Sequence, residues 1–515
     1  MYGSIWSAAV YGVEGRMIQM EFDISSGLPH VAVVGLPDAA VRESIDRVRS
    51  SVRNCGWKFP LERITINLAP ADLRKEGTSY DLAMAIGILG TSGQLDLSLF
   101  RNMLVAGELA LDGTTRPIPG ILSIVDEARR QGITQVLVPS ANAPEAVLVS
   151  GIEVYSLSTL AQLRQVTDSA GSLSSLLFSP HSSYLPSMTK VGYLDDGHED
   201  YAEVRGQEHA KRAMTVAAAG MHNILLSGPP GTGKTMLIRR LPTILPLLTD
   251  DEALEVSKLY SVSGKWEQSS TGLIQMRPFR SPHHSISPAG LIGGGSFPKP
   301  GEISLAHRGV LFLDELPEFP RQTLEVLRQP LEDRHVTISR TRAVYRFPAH
   351  FMLAASMNPC PCGHFQATEH SICTCTPARL HHYRSRLSGP LLDRIDMQLE
   401  VPRISLHATN NKVIDSAQLR EQVMLAHERQ LHRYRHLPLR FNSELRGSWL
   451  QQYCALSTAS STMLQQVYDE LGLSIRAHDR ILKLARTIAD LEDCEQIEIG
   501  HLAEAISYRK LDRPA

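Results

Sequence analysis

One eight-residue segment constrains the fold of this chain more than any other. It follows the apolar run 223–226, precedes a helical stretch and fits the pattern G-x-x-x-x-G-K-[ST]. Its glycines let backbone N–H groups close around a phosphate, its lysine offers a point charge to the β- and γ-phosphate oxygens, and its threonine hydroxyl can hold Mg²⁺. The residues of this phosphate loop are Gly228, Pro229, Pro230, Gly231, Thr232, Gly233, Lys234 and Thr235.

Two further apolar runs end in polar residues that complete such a site. The first, 310–313, reads as a strand and ends in Asp314 and Glu315, and α/β sheets place their ligands at the carboxyl ends of strands. We expect Asp314 to hold the Mg²⁺ shell and Glu315 to polarise the attacking water. The second, 351–355, ends near Asn358, whose amide is expected to orient that water. Together these segments predict a Mg²⁺-dependent ATP hydrolase.

The composition limits the class of protein and its partners. A length of 515 residues predicts about three domains, and 43% apolar and 21% charged residues are ordinary globular values. The formal charge of −2 means that a nucleic-acid partner would need locally concentrated Lys and Arg. The longest apolar stretches, such as 82–89, fall short of the roughly 20 residues that span a bilayer, and the start lacks a basic signal region. We therefore expect a cytoplasmic protein without a membrane partner.

Periodicity and composition divide the chain into an α/β protein of three domains. The N-terminal part alternates β-rich and helical runs, and a segment rich in Ser, Gly, Pro and Asp follows it. The phosphate loop lies in a second α/β part, and the remainder has helical periodicity with few strand signals. The predicted divisions are 1–165 (α/β domain), 166–198 (linker), 199–402 (ATPase domain with a cysteine-rich insertion at 360–375) and 403–515 (helical lid).

Four segments carry a resemblance to a known family. They are the phosphate loop, DYAEVRGQ at 200–207, PGEISLAH at 300–307 and LLDRID at 391–396, and they resemble the magnesium-chelatase branch of AAA+ ATPases. Nearly the whole chain, N-terminal part and cysteine-rich insertion included, is similar to the ComM (YifB) family of that branch. The resemblance implies a homohexameric ATPase and helicase that acts on single-stranded and branched DNA, and it makes recombination proteins candidate partners. It also implies a role in branch migration during natural transformation.

The resemblance also implies two catalytic arginines. In AAA+ rings a neighbouring subunit supplies an arginine to the transition state of ATP hydrolysis. The resemblance assigns this role to Arg394, with Arg386 as a nearby competitor. The segment SIRAHDR at 474–480 resembles the lid element that supplies a second cation to the nucleotide of its own subunit, which assigns Arg476, with Arg480 as the alternative.

Four of the seven cysteines fall within one short segment. Cys360, Cys362, Cys373 and Cys375 form two C-x-C pairs separated by ten residues. Four thiolates can complete a tetrahedral Zn²⁺ site, although C-x-C is tighter than the usual C-x₂-C spacing. His364 and His370 are reserve ligands. The alternatives are four free thiols or a labile redox cluster.

The N-terminal part resembles the proteolytic domain of Lon proteases, which has a ribosomal S5 domain 2-type fold. KEGTSYDLA at 75–83 resembles the nucleophile segment and places Ser79 on the nucleophile position. The position of the catalytic lysine is occupied by Leu122. A serine without a base cannot be activated in such a dyad, so we expect a Lon-like domain without protease activity.

Basic residues that could contact DNA occur in two segments. Arg340, Arg342 and Arg346 alternate with β-forming residues around a turn near residue 341 and are expected to share one face of a hairpin, where they could meet phosphates. A merely solvated cationic face is the alternative. The second segment, 280–295, contains His283 and His284 and three consecutive glycines.

Two other functions remain open for the chain: a magnesium-chelatase motor and a non-catalytic ring regulator or chaperone-like adaptor.

Overall fold

A computed structural model describes residues 1–168, 172–179, 199–266, 272–295, 298–340, 343–365, 373–403 and 414–509. These residues form two units. The described parts of Met1–Lys190 and Ala253–Ile274 make up the first unit, and those of Val191–Glu252 and Gln275–Ala515 make up the second.

The first unit is built on a mixed sheet. Its strands are β1 (Tyr2–Tyr11), β2 (Glu14–Ser25), β3 (His30–Val34), β4 (Arg63–Ala69), β5 (Met103–Val105), β6 (Glu108–Leu109), β7 (Thr115–Arg116), β8 (Gln135–Pro139) and β9 (Glu153–Leu157). Its helices are α1 (Ala39–Asn54), α2 (Asp81–Thr91), α3 (Ile121–Arg130), α4 (Ala143–Ala146) and α5 (Gln162–Asp168), with 3-10 turns at Leu97–Phe100 and Leu173–Leu176. Seven strands pair in the order β3-β4-β2-β1-β5-β8-β9.

Burial explains the helix α2. Its residues are almost all buried, which agrees with a sequence that is apolar on every face. A Cβ on Gly87 would lie 2.1 Å from Cζ of Phe22 in β2, so this helix packs at backbone contact against the sheet. The alternation of β-rich and helical runs predicted for this part is seen in β4, α2 and β8.

Residues 172–179 fall in the segment predicted to be a linker. Leu173 and Leu176 are buried in the core of the first unit, and the backbone N–H of Phe178 donates to the carbonyl of Val154 at 2.8 Å. These residues therefore pack on β9 as part of the first unit, because their two leucines find an apolar surface there. Residues 169–171 and 180–198 lie outside the described residues.

The second unit contains the phosphate loop and the helical C-terminal region. Its strands are β10 (Ile224–Ser227), β11 (Phe279–Arg280), β12 (Gly293–Gly294), β13 (Lys299–Pro300), β14 (Val310–Leu313), β15 (His335–Arg340), β16 (Ala343–Pro348), β17 (Met352–Met357) and β18 (Met397–Glu400). Its helices are α6 (Glu208–Gly220), α7 (Lys234–Arg239), α8 (Leu241–Ile244), α10 (Pro288–Ile292), α11 (Glu302–Leu305), α12 (Arg321–Glu325), α13 (Arg328–Asp333), α14 (Pro377–Ser385), α15 (Gly389–Leu392), α16 (Ser416–Arg433), α17 (Ser448–Tyr453), α18 (Thr458–Leu471), α19 (Ile475–Leu491) and α20 (Ile499–Ser507). The helix α9 (Asp250–Ser263) begins in the second unit, and its residues from Ala253 onward belong to the first. Among the described residues, 3-10 turns occur at Tyr201–Glu203, Leu316–Glu318 and Asn442–Glu444.

A parallel sheet positions the candidate site. Its five strands pair in the order β11-β14-β17-β10-β18, and every neighbouring pair is parallel. The strands β10, β14 and β17 are buried along their whole length, as expected for a parallel sheet covered on both faces. The sequence predicted these three strands as apolar runs, and the structure confirms them.

The C-terminal region, 414–509, is helical, as the sequence predicted. Asp415, Ser457 and Ser474 each cap a helix by accepting a hydrogen bond from the backbone N–H three residues on. Asp490 is buried at the centre of this region, where Arg433, Arg486 and Asn442 donate to its carboxylate. Within the described residues, no helix has both the length and the apolar character needed to cross a membrane.

Candidate active site

The three polar segments predicted from the sequence meet at one edge of the parallel sheet. The strand β17 lies between β14 and β10, with Leu313 in register with Ala355 and Ser227 in register with Met357. All three strands run in the same direction, so the residues that follow them emerge side by side. The phosphate loop, Asp314 with Glu315, and Asn358 are therefore brought together.

The phosphate loop forms an open cradle. Gly231 and Gly233 have φ values of +77° and +87°, the left-handed region that favours glycine. A Cβ on either residue would meet no heavy atom within 4 Å, so the space over the loop is free for a ligand. Lys234 begins α7 directly after the loop. This geometry fits the binding of phosphate groups by backbone N–H groups.

The ammonium group of Lys234 lies inside the loop. Its Nζ donates to the carbonyls of Gly228 at 2.7 Å and Pro229 at 2.9 Å, and it lies 3.3 Å from Oδ1 of Asn358. Burial lowers the pKa of Lys234, against the opposing effect of the Asp314 and Glu315 carboxylates. A bound phosphate would therefore give the Lys234 ammonium group a charged partner in place of these neutral carbonyls.

Asp314 is held by hydrogen bonds from two sides. The Thr235 hydroxyl donates to its Oδ2 at 3.0 Å, and the hydroxyl of Ser356 on β17 donates to its Oδ1. The Thr235 and Asp314 oxygens form a set of hard donors that suits Mg²⁺. Sequence reasoning missed Ser356, because a serine in an apolar strand gives no signal until its neighbour strand is known.

Glu315 leaves the strand at an angle that exposes its carboxylate. Its φ is +53°, an uncommon left-handed conformation for a residue with a side chain, and the residue is exposed. Its backbone N–H donates to Oδ1 of Asp314 at 3.1 Å. The two acids therefore have different environments: Asp314 is tied to the loop and Glu315 is free to face a ligand.

Arg394 lies at the opposite end of β10 from the phosphate loop. Its carbonyl accepts a hydrogen bond from Nδ2 of Asn223 at 2.9 Å, and Asn223 directly precedes β10. Its guanidinium donates to the carbonyl of Pro390 at 2.6 Å and forms an ion pair with Glu332. Four strand residues, about 13 Å, therefore separate it from the loop of its own chain.

Arg476 shares a cavity with Arg394. The cavity has a volume of about 360 Å³ and is also lined by Arg480, Asp396 and Lys483. No residue of the phosphate loop lines it. The expectation that Arg476 serves the nucleotide of its own chain is therefore not supported, because the start of α19 packs near the amino end of β10.

Arg386, the competitor for the finger role, lies elsewhere. It donates to the carbonyl of Pro317 at 3.0 Å and to Oε2 of Glu318 at 3.1 Å, just beyond the end of β14. Its guanidinium thus pairs with Glu318, three residues after Glu315 of the same chain. Arg394 thus lies near the amino end of the parallel strands, and Arg386 lies near their carboxyl end.

The four cysteines of the insertion converge. Their Sγ atoms all lie within 4.8 Å of one another, with separations of 3.3 Å for Cys360–Cys362, 3.6 Å for Cys362–Cys373 and 3.8 Å for Cys360–Cys373. Tetrahedral Zn²⁺ with bonds of about 2.3 Å sets its sulfurs about 3.8 Å apart. The residues present therefore fit a thiolate-bound metal ion.

The sequence offered His364 and His370 as reserve ligands for this cluster. His370 lies outside the described residues, and His364 is not part of the converging set. His283 and His284 stack with ring centroids 4.0 Å apart. Across the described ranges, the four cysteines are the one group of three or more His, Cys, Asp or Glu side chains close enough to hold a metal.

The hairpin of β15 and β16 corrects one expectation about the arginines. Arg340 and Arg346 are both exposed, and Arg342 lies outside the described residues. Thr337 pairs with Arg346 and Ile338 pairs with Tyr345, so Arg340 shares a face with Ile338 while Arg346 lies on the other face. The single shared face was therefore wrong, because the turn places residues of equal parity on opposite faces. Nη2 of Arg340 donates to the carbonyl of Gly295 at 3.0 Å, which joins the two basic segments.

In the first unit, Ser79 occupies the position predicted for a nucleophile. The hydroxyl of Ser79 lies 3.4 Å from the carbonyl of Ala8, and no His, Lys or carboxylate bonds to it among the residues that the structure describes. Leu122 is buried in α3. The buried Lys75, in the same segment, donates to the carbonyl of Pro70 instead.

Comparisons with known proteins agree with this geometry. The family model described as magnesium chelatase, subunit ChlI, matches residues 200–409. Models of subunit ChlI of Mg-chelatase and of its C-terminal part match 20–142 and 414–509.

Relatives match over most or part of the chain. Protein YifB of Salmonella typhimurium is 45% identical over 520 residues, and competence protein ComM of Haemophilus influenzae is 43% identical over 518; each alignment covers 99% of this chain and 97% of the relative. Lon protease 2 of Bacillus subtilis is 24% identical over 180 residues, which are 31% of this chain and 32% of the relative.

Proposed function

The chain belongs to the ComM/YifB family of magnesium-chelatase-like proteins, and from that premise we propose that it is a Mg²⁺-dependent ATP hydrolase whose homohexameric ring drives branch migration of DNA. The observation that carries the proposal is the convergence of the phosphate loop, Asp314, Glu315 and Asn358 at one sheet edge. The similarity to a competence protein supports recombination of incoming DNA as the setting.

The roles follow from the geometry at that edge. The loop glycines and Lys234 bind and orient the phosphates, and Thr235 with Asp314 would hold Mg²⁺. The ion, when bound, would neutralise charge on the phosphate oxygens. Glu315 accepts a proton from the attacking water, and Asn358 orients that water. Ser356 keeps the Asp314 carboxylate facing Thr235.

Arg394 and Arg476 act together on the nucleotide of a neighbouring subunit. Both line one cavity at the edge of the sheet that faces away from their own phosphate loop. A guanidinium supplied in trans to the γ-phosphate stabilises the transition state and commonly contributes about 10³-fold or more in rate. In a ring, each subunit would place these two arginines at the active site of its neighbour, which would complete every site.

Zinc in the four-cysteine site and DNA contacts by exposed arginines complete the proposal. The sulfur separations support a thiolate site for Zn²⁺. Arg340 and Arg346 are candidates for phosphate contacts that carry no sequence information. Arg342 is a further candidate outside the described residues.

One experiment separates this function from its rivals. Purified protein is incubated with ATP, Mg²⁺ and a synthetic four-way or three-stranded DNA junction, with Lys234→Ala as the inactive control. We expect resolution of the junction by the wild type alone. ATP hydrolysis without junction resolution, coupled to insertion of Mg²⁺ into a porphyrin, would assign a chelatase motor. Absence of ATP hydrolysis would leave a non-catalytic regulator and refute the proposal.

A subunit-mixing experiment tests the trans assignment. Arg394→Ala and Lys234→Ala subunits are each expected to be inactive, but mixed rings combine one intact loop with one intact arginine edge at some interfaces. Partial recovery of ATP hydrolysis is the expected result. No recovery in rings shown to exchange subunits would contradict the assignment.

A further inference from the structure

We propose that Gly363 is a positioning residue through which the four-cysteine site controls nucleotide binding. The inference rests on the nucleotide and metal sites of the proposed function, and it is independent of any action on DNA. It assigns to the metal-binding turn a direct effect on the shape of the phosphate loop.

The contact is between the turn and Pro230 of the phosphate loop. Gly363 follows Cys362, is buried and has a φ of +80°. A Cβ at this position would lie 2.6 Å from Cδ and 3.1 Å from Cγ of Pro230. The backbone of the turn therefore packs directly on the proline ring, and a residue without a side chain is required there for both conformation and space.

The same turn is tied to the metal ligands. The backbone N–H of Gly363 donates to the carbonyl of Cys360 at 3.0 Å, which closes the turn that carries Cys360 and Cys362. A metal ion that draws four thiolates together fixes these two ligands and, with them, the position of Gly363. Without the ion, no metal–thiolate bonds hold the four sulfurs at these short separations, and the turn loses its main constraint.

The other end of the turn reaches the active site through the chain. Cys360 is buried and lies two residues after Asn358, whose Oδ1 is 3.3 Å from Nζ of Lys234. The turn thus connects Asn358, which contacts Lys234, with Pro230 of the phosphate loop. Metal binding should set the positions of Asn358 and Pro230 together.

Gly363→Ala tests the contact while keeping all four cysteines. We expect the variant to retain zinc at the wild-type ratio per chain, while its Kd for a fluorescent ATP analogue rises about tenfold. The KM for ATP should rise in parallel, and kcat at saturating ATP should change less, because Asp314 and Glu315 lie on a different strand. Gly132→Ala is the matched control: its φ is +81°, and a Cβ there meets nothing within 4 Å. The control should bind nucleotide as the wild type does.

Removal of zinc from the wild type with a chelator provides the second arm. We expect a similar rise in Kd, and little further rise when zinc is removed from Gly363→Ala, because both changes act through one contact. Equal nucleotide affinity of zinc-loaded and zinc-free wild type overturns the inference even if Gly363→Ala fails to fold. A Gly363→Ala protein that keeps both zinc and wild-type affinity also overturns it. Failure of the zinc-loaded wild type to bind nucleotide at all would instead refute the proposed function, and the inference with it.

Discussion

Replacement of Asp396 by Asn tests how the helical C-terminal region is joined to the strand that follows Arg394. Oδ1 of Asp396 lies 3.1 Å from Nε of Arg480 on α19, and its Oδ2 accepts a hydrogen bond from the backbone N–H of Asn223 at 3.0 Å. Nδ1 of His222 lies 3.7 Å from the same oxygen. The carboxylate thus links α19, β18 and the residue before β10.

The structure gives the size of the expected effect. Burial alone would raise the pKa of Asp396, but His222 and the Arg480 and Lys483 cations outweigh it and lower the pKa from 3.8 to about 2. The lowered pKa of Asp396 corresponds to about 2–3 kcal/mol in favour of the charged, folded state. This stabilisation is present above about pH 4, falls to roughly half near pH 3, and is lost as the pH falls through 2.

Hydrogen exchange of α19 measures this loss locally. At pH 7 we expect Asp396→Asn to speed the hydrogen exchange of amides that open with α19 by up to about 60-fold. The ratio of the variant's exchange rate to that of the wild type should shrink near pH 3. Asp393→Asn removes an equal charge three residues away, where the described part of the chain offers the carboxylate no hydrogen bond or ion pair. Equal exchange in the two variants at pH 7 would refute the reasoning.

Three further perturbations test other parts of the molecule. Glu315→Gln should keep ATP binding but lower turnover by about 100-fold or more, measured by phosphate release; near-normal turnover would contradict its role. Gly87→Ala should destabilise the first unit by about 1–3 kcal/mol through overlap with Phe22, seen as a lower Tm, whereas Gly500→Ala, where a Cβ meets nothing within 4 Å, should not lower it. Arg346→Ala should weaken DNA binding equally for unrelated sequences and flatten its salt dependence; an unchanged salt slope would exclude a phosphate contact there.

The sequence by itself determined the features that depend on neighbouring residues in the chain. The phosphate loop is recognisable because its glycines and Lys234 must occur at fixed spacing to surround a phosphate. Asp314, Glu315 and Asn358 could be found because apolar strands end where polar residues begin, and parallel strands deliver their carboxyl ends to one edge. The cysteine pairs could also be found from the sequence, because the ligands of one small metal site lie close together in the chain.

Only the tertiary structure decided features that depend on residues distant in sequence. Ser356 supports Asp314 because β17 lies beside β14, and Gly363 touches Pro230 across 133 positions of chain. The faces of Arg340 and Arg346 depended on the register across the turn, which alternation along the sequence does not contain. Arg476 shares a cavity with Arg394 because Arg480 of α19 pairs with Asp396, which accepts a hydrogen bond from the residue before β10. Local patterns fix which residues can do chemistry, but packing of distant elements fixes which of them meet, because burial is satisfied only by the whole fold.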